Sequence, residues 1–114
     1  MDVASVELAA SGSCVVARVG GEMDYQSDPW LRSRFDQLIT EGGRFVVDLS
    51  GVSFCDSAGL NVLLGARRQA EMRGAVLALA CVPAHLRRIL EMTGADQVLR
   101  VFATVTDAEA ALDG

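Results

Sequence analysis

The fold is decided by residues 45–60, which read FVVDLSGVSFCDSAGL. Residues 45–49 are almost entirely apolar, which is typical of a short β-strand covered on both faces. Residues 50–60 then form a loop, and the helix that follows begins near Ser57 and closes at Gly74. The segment therefore predicts one strand–loop–helix unit of an α/β fold.

The same alternation continues to the C-terminus. Residues 75–81 predict a second buried strand, because Gly74 and Pro83 bound a short apolar run. Thr106 and Glu109 have the spacing of a capping box, in which each side chain satisfies a free backbone amide at a helix start. The other predicted elements here are a helix from Pro83 to Gly94, a strand at residues 98–102 and a terminal helix.

The N-terminal third differs, because two strands come first. Residues 3–9 and 13–19 are apolar runs rich in valine on either side of a short turn, which predicts a β-hairpin. Ser27 and Pro29 supply a cap and a first helical residue, and the glycine pair that begins at Gly42 ends this helix.

Together these elements predict one α/β domain spanning residues 1–114, with its core at about residues 4–112. The strand–helix–strand spacing implies parallel neighbours joined by right-handed crossovers. The sheet is therefore mixed, with an antiparallel N-terminal hairpin plus parallel strands, and about four helices cover it. A chain of 114 residues, 51% of them hydrophobic, can bury such a core without disulfides.

Composition excludes several classes of function. The chain has 15 acidic residues and 10 basic ones, all arginine, and this net charge of -5 argues against a nucleic-acid partner. One histidine, His85, is too few for most metal sites and catalytic triads, so we expect no metal and no cofactor.

Three widely spaced cysteines are typical of reduced thiols in the cytoplasm. The longest apolar run, residues 75–83, is shorter than the roughly 20 residues of a membrane span, and the N-terminus lacks the basic start of a signal peptide, so we expect a cytoplasmic protein without a membrane partner.

The loop before the second predicted helix is the most informative candidate site, because sites gather at the carboxyl ends of strands in open α/β sheets. Ser57 falls where the helix begins, so its hydroxyl could cap the helix by accepting a free amide. Alternatively, Ser57 is an exposed hydroxyl beside the small residues Ala58 and Gly59, which leave access for an enzyme that phosphorylates it. A phosphate there would meet the helix dipole and add about -1.5 to -2 charge beside Asp56. The residues alone leave both interpretations open.

Three other candidates have simpler structural interpretations. Glu22 and Asp24 follow two glycines that predict a polar turn, or else they form a pair of carboxylates for acid–base work. Cys55 lies near a helix start, where a thiol can become redox-sensitive. His85, on the first turn of a later helix, is more typical of a surface residue than of a base. Cys55 also excludes a nucleophile elbow around Ser57, because that motif needs glycine two residues before the serine.

Several segments resemble the STAS domain of anti-sigma factor antagonists, in the order and spacing of that family over about residues 4–112. They are the turn at residues 21–24, the strand at residues 45–49, the loop at residues 54–60, the helix containing residues 63–68 and the stretch from Pro83 to Gly94. The resemblance implies the STAS fold and a bacterial regulator that is not an enzyme. Asn61 departs from the family, where a small residue is common, and so does Tyr25 after the acidic turn; these departures concern the choice of partner.

The resemblance also implies a mechanism called partner switching. The unphosphorylated antagonist of this family binds an anti-sigma factor that is a serine kinase with a histidine-kinase-like ATPase fold, which frees the sigma factor for transcription. The kinase then phosphorylates a serine that matches Ser57, and the phosphorylated antagonist dissociates from it. A PP2C-type phosphatase removes the phosphate and restores the binding form. The positions that match the partner-binding region are Asp24, Asp56, Ser57, Ala58, Gly59 and Asn61. We expect a monomer or a weak dimer.

Two alternatives to this mechanism remain. A STAS domain can be a scaffold or subunit of a stressosome-like or lipid-transport complex, in which Ser57 is never phosphorylated. A small hydrolase or nucleotide-binding enzyme would need His85 beside Ser57 and Asp56, although His85 begins a different helix. Charge favours a docking surface, because residues 1–60 carry a net charge of -5 and residues 61–100 carry one of +3.

Overall fold

The computed structural model describes residues 4–113, so the predicted start of the first strand at residue 3 lies outside the described residues. The strands are β1 (Ser5–Ser11), β2 (Cys14–Met23), β3 (Arg44–Cys55), β4 (Val76–Ala80) and β5 (Arg100–Phe102). They form one sheet in the order β1-β2-β3-β4-β5. β1 is antiparallel to β2, and the other neighbouring pairs are parallel. The predicted mixed sheet is therefore confirmed.

Four α-helices lie within residues 4–113, in agreement with the prediction. They are α1 (Asp28–Leu38), α2 (Ser57–Met72), α3 (Ala84–Thr93) and α4 (Val105–Asp113), and a short 3-10 helix spans Ala95–Gln97. The first three make the crossovers between parallel strands, from β2 to β3, from β3 to β4 and from β4 to β5. Within the same residues, no helix is both long and apolar enough to cross a membrane.

The sheet buries side chains on both faces, and β3 shows how. Alternate side chains of a strand point to opposite faces. Val47 and Leu49 pack into the larger core beneath α1, α2 and α3, whereas Val46 packs into a smaller core beneath α4. Each of these three side chains is at most 1% exposed, so its burial contributes about 1.5–3 kcal/mol. Burial on both faces explains why β3 lacks polar alternation.

β2 and β3 both run past their predicted ends. They continue through much of the predicted turn at residues 20–25 and of the predicted loop at residues 50–60, so those two predictions are wrong over the strand portions. The strands stay paired there because glycines face each other: a Cβ on Gly51 would lie 3.2 Å from the Cα of Gly20. A glycine next to an apolar run can mark either a turn or a close approach between two strands, and the neighbouring strand shows that the second applies here.

Several other predicted helix or strand boundaries are also wrong. The Oγ1 of Thr104 accepts the amide of Asp107 at 3.0 Å, so Thr104 caps α4 and Thr106 lies inside the helix. The helix starts early because the chain turns directly after β5. α1 ends at Leu38 rather than Gly42, β5 begins at Arg100 rather than Val98, and β1 ends at Ser11 rather than residue 9.

Candidate functional site

Asp56, and not Ser57, caps α2. Asp56 has an extended backbone (φ -107°, ψ -168°), and its Oδ1 accepts hydrogen bonds from the amides of Ala58 at 2.9 Å and Gly59 at 3.2 Å. Ser57 is already the first helical residue, whereas a capping residue must lie just outside the helix. The predicted capping role of Ser57 is therefore wrong, and the residue is exposed.

The end of the β2–β3 ladder sets where the acidic residues lie. Met23 pairs with Cys55, and the Asp56 amide donates a hydrogen bond to the Met23 carbonyl oxygen at 3.2 Å. Because the two strands are parallel, Asp24 and Asp56 leave the sheet at neighbouring positions on the same edge. The turn before α1 and the start of α2 therefore form one continuous part of the surface.

Asp24 is held in a turn of its own. Its Oδ1 accepts hydrogen bonds from the amides of Gln26 at 3.1 Å and Ser27 at 3.0 Å, and the Oγ of Ser27 accepts one from the Asp24 amide at 2.9 Å. Such turns fix an aspartate side chain against the local backbone. Glu22 instead belongs to β2, opposite Phe54.

Gly59 allows α2 to begin directly against the strand ends. The residue is buried, and a Cβ there would lie 2.5 Å from the Met23 carbonyl oxygen and 2.7 Å from the Cys55 Sγ. The carbonyl cannot retreat freely, since it accepts the Asp56 amide. Gly59 therefore lies beneath the exposed surface and supports it from below.

The accessible part of the site runs along one side of α2. Ser57 and Asn61 are exposed, and Ala58 is half-buried. Residues four apart on a helix are surface neighbours, so the Ser57 hydroxyl and the Asn61 amide share one patch. An enzyme can reach the Ser57 hydroxyl without any rearrangement of the fold.

Cys55 and His85 add no chemistry to this patch. Cys55 is 3% exposed, and burial, together with the nearby Asp56 carboxylate, raises its pKa to about 12. The thiol stays protonated at neutral pH, and the thiolate is the reactive form, so a redox role is disfavoured. His85 lies exposed on α3. Across residues 4–113, no group of three His, Cys, Asp or Glu side chains could hold a metal ion.

Three exposed aromatic residues lie at the end of β3, in the turn after β2 and at the start of α1. Tyr25 (70% exposed) follows Asp24, Trp30 (45%) lies in the first turn of α1, and Phe54 (47%) lies near the end of β3. Aromatic side chains bury large areas when a partner covers them, and they are enriched at protein–protein interfaces. Sequence reasoning assigned Trp30 and Phe54 no role and marked Tyr25 only as a departure that concerns the choice of partner, because the exposure of all three depends on where the strands and α1 end in the fold.

Comparisons with known proteins decide the family, since the family model of the STAS domain matches residues 5–108. The chain belongs to the STAS domain family. This STAS domain is 25% identical over 105 residues to the anti-sigma F factor antagonist of Paenibacillus polymyxa, covering 90% of each chain. It is 27% identical over 99 residues to the anti-sigma-B factor antagonist of Bacillus subtilis, covering 87% of this chain and 91% of that protein.

Solved structures show the same fold. An anti-sigma factor antagonist from Mycobacterium paratuberculosis superposes with a TM-score of 0.88 at 24% identity, covering 99% of this chain and 97% of that one. The Bacillus cell fate determinant SpoIIAA in its phosphorylated form superposes with a TM-score of 0.69 at 23% identity, covering 94% and 98%. The predicted STAS fold and the predicted family are both confirmed.

Proposed function

We propose that this STAS domain is an anti-sigma factor antagonist that works by partner switching in the bacterial cytoplasm. Its unphosphorylated form binds an anti-sigma factor that is also a serine kinase of the histidine-kinase-like ATPase fold, which frees a sigma factor for transcription. The kinase phosphorylates Ser57 and so ends the binding, and a PP2C-type phosphatase reverses the modification. The role is one of binding rather than catalysis. The antagonist relatives and the phosphorylated SpoIIAA structure support this proposal.

The observation that carries the proposal is the state of the Ser57 hydroxyl. It lies on the first residue of α2 and is exposed, and Asp56 performs the capping that would otherwise occupy it. A serine with a structural role would lose that role on phosphorylation. Ser57 has none to lose, so its modification can be reversible without unfolding the helix.

The energies of a phosphate at Ser57 also favour a surface switch. The helix dipole stabilises an anion at this end by about 0.3–1 kcal/mol. Against this, each unit of negative charge beside the Asp56 carboxylate costs up to about 1 kcal/mol in water, and the phosphate brings about -1.5 to -2. The two effects nearly cancel, so α2 persists and the change is confined to the surface.

Binding is where the phosphate has a large effect. Ser57 lies between the half-buried Asp56 and Ala58 and the exposed Asn61, so a partner that covers this patch must take the phosphate out of water. Desolvating a charge that lacks a paired group costs several kcal/mol. A hydroxyl can be buried at a far smaller cost, which accounts for binding in the unphosphorylated form alone.

Intact mass spectrometry tests the modification. The chain is incubated with the cognate kinase-type anti-sigma factor and ATP, and we expect a gain of about 80 Da for one phosphate. Ser57→Ala should abolish the gain. Ser53→Ala, which removes another exposed serine at the end of β3, is the matched control and should retain it. A gain that persists in Ser57→Ala would contradict the proposal.

A further inference from the structure

The Asp56 carboxylate already occupies the amides that a phosphate on Ser57 would otherwise bind. Asp56 Oδ1 accepts the amides of Ala58 and Gly59, and the Leu60 amide donates to the Asp56 carbonyl oxygen at 3.0 Å. Phosphates at helix starts normally gain their stability from these free first-turn amides. A phosphate on Ser57 therefore meets its own amide and two others that are already bonded.

The local fold keeps Asp56 in its capping position. Its own amide is bonded to the Met23 carbonyl, and its backbone is extended, as a capping residue requires. The close packing of Gly59 against Met23 prevents the first turn of α2 from sliding. A phosphate that displaced the Asp56 carboxylate would leave two anions crowded at one helix end.

We propose that Asp56 is a positioning residue for the phosphate on Ser57. By keeping its two amide hydrogen bonds, Asp56 denies these amides to the phosphate. The phosphate is therefore directed to solvent, and a docking partner meets its charge there. The inference rests on the proposed phosphorylation of Ser57. It assigns to Asp56 a role in the switch that is distinct from contact with the partner.

The test uses chains that carry phosphoserine at position 57 by incorporation during translation, so that no kinase is needed. Asp56→Ala frees the two amides, whereas Asp56→Asn keeps an oxygen acceptor and removes the charge. Asp107→Ala, which removes an acid from the first turn of α4, is the matched control. For each background, the midpoint of thermal unfolding (Tm) is compared with and without the phosphate, and phosphorus NMR gives the second pKa of the phosphoserine.

We expect the phosphate to change Tm by less than about 1 °C in the wild-type and Asp107→Ala backgrounds. In Asp56→Asn the charge repulsion is gone but the amides stay bonded, so the phosphate should raise Tm by less than it does in Asp56→Ala. In Asp56→Ala the phosphate takes the freed amides, so its presence should raise Tm by about 2–5 °C. The second pKa of the phosphoserine should fall by about 0.5–1 unit in Asp56→Ala. In Asp56→Asn it should fall less, because only the like charge is removed.

Two results would overturn the inference. One is an equal Tm change and an equal phosphoserine pKa in wild-type and Asp56→Ala; the other is a gain of about 2–5 °C in the wild-type background, which would mean that the phosphate displaces Asp56.

If Asp56→Ala does not fold, the backbone amide resonances of Ala58 and Gly59 decide the question. We expect them to be unmoved by the phosphate in wild type and Asp56→Asn, and a large shift in wild type would contradict us. If the kinase does not phosphorylate Ser57, the proposed function is refuted. The inference about Asp56 is still tested by these measurements, because they need no kinase.

Discussion

Replacing Gly59 by alanine should push α2 away from the ends of β2 and β3. The new Cβ would lie 2.5 Å from the Met23 carbonyl oxygen and 2.7 Å from the Cys55 Sγ, so atoms must shift. Overpacking of this kind costs about 1–3 kcal/mol, and the upper end applies because the carbonyl is held by the Asp56 amide. Alanine returns less than about 0.8–1 kcal/mol of helix propensity, the value that applies in a helix interior, because Gly59 lies in the first turn of α2. The free energy of unfolding should fall by about 2 kcal/mol.

Chemical and thermal unfolding followed by circular dichroism measures this loss, which corresponds to a Tm lower by about 8 °C. Gly65→Ala is a matched control on the same helix, because a Cβ there meets only the end of the Arg32 side chain, 3.3 Å away. It should stabilise the domain by about 0.5–1 kcal/mol through helix propensity. If Gly59→Ala proved as stable as wild type or as Gly65→Ala, the close approach of α2 to the strand ends would be refuted.

Three further predictions concern stability. Thr104→Ala should lower the free energy of unfolding by about 1 kcal/mol in urea titrations, and Thr106→Ala by less than about 0.5 kcal/mol; the reverse order would contradict the cap. Arg73 donates to the Asp36 and Ile39 carbonyl oxygens at 2.8 and 2.6 Å, so Arg73→Lys should cost about 1 kcal/mol in the same assay, and equal stability to wild type would exclude that role. Stability should decline as the pH rises above 9.0, because the unfolded Cys55 thiol ionises there whereas the folded one ionises at about 12. Urea titrations at several pH values should show a smaller decline in Cys55→Ala, and an equal decline would rule out the contribution of this thiol.

Elements with strong local signals were predictable from the sequence. The bounds of α3 agree with the prediction within one residue at each end, because Pro83 precedes the helix and Gly94 follows it in the left-handed conformation at φ +77°. The continuations of β2 and β3 were not predictable, because glycines such as Gly20 and Gly51 are tolerated only where the two strands pair. The length of each of these two strands depends on its pairing with the other, so the sequence of one strand alone does not predict it.

The site shows the same division between local and tertiary information. The sequence placed the candidate site at the start of α2, but Asp56 and Ser57 are both good capping residues. Which of them caps depends on where β3 ends, and that end is set by pairing with Met23 on β2. The exposure of Phe54 has the same cause. A resemblance to a family can point to Ser57, whereas only the structure shows that its hydroxyl is free.

The most direct test of the account is a comparison of two dissociation constants. Calorimetry would measure the binding of the cognate kinase-type anti-sigma factor to the unmodified chain and to the chain with phosphoserine at position 57. We predict that the phosphate weakens binding at least about tenfold, or about 1.4 kcal/mol. Phosphoserine at position 53, on the exposed end of β3, is the control and should weaken it less. Equal affinities of the partner for the unmodified and the position-57 phosphorylated chains would contradict partner switching through Ser57.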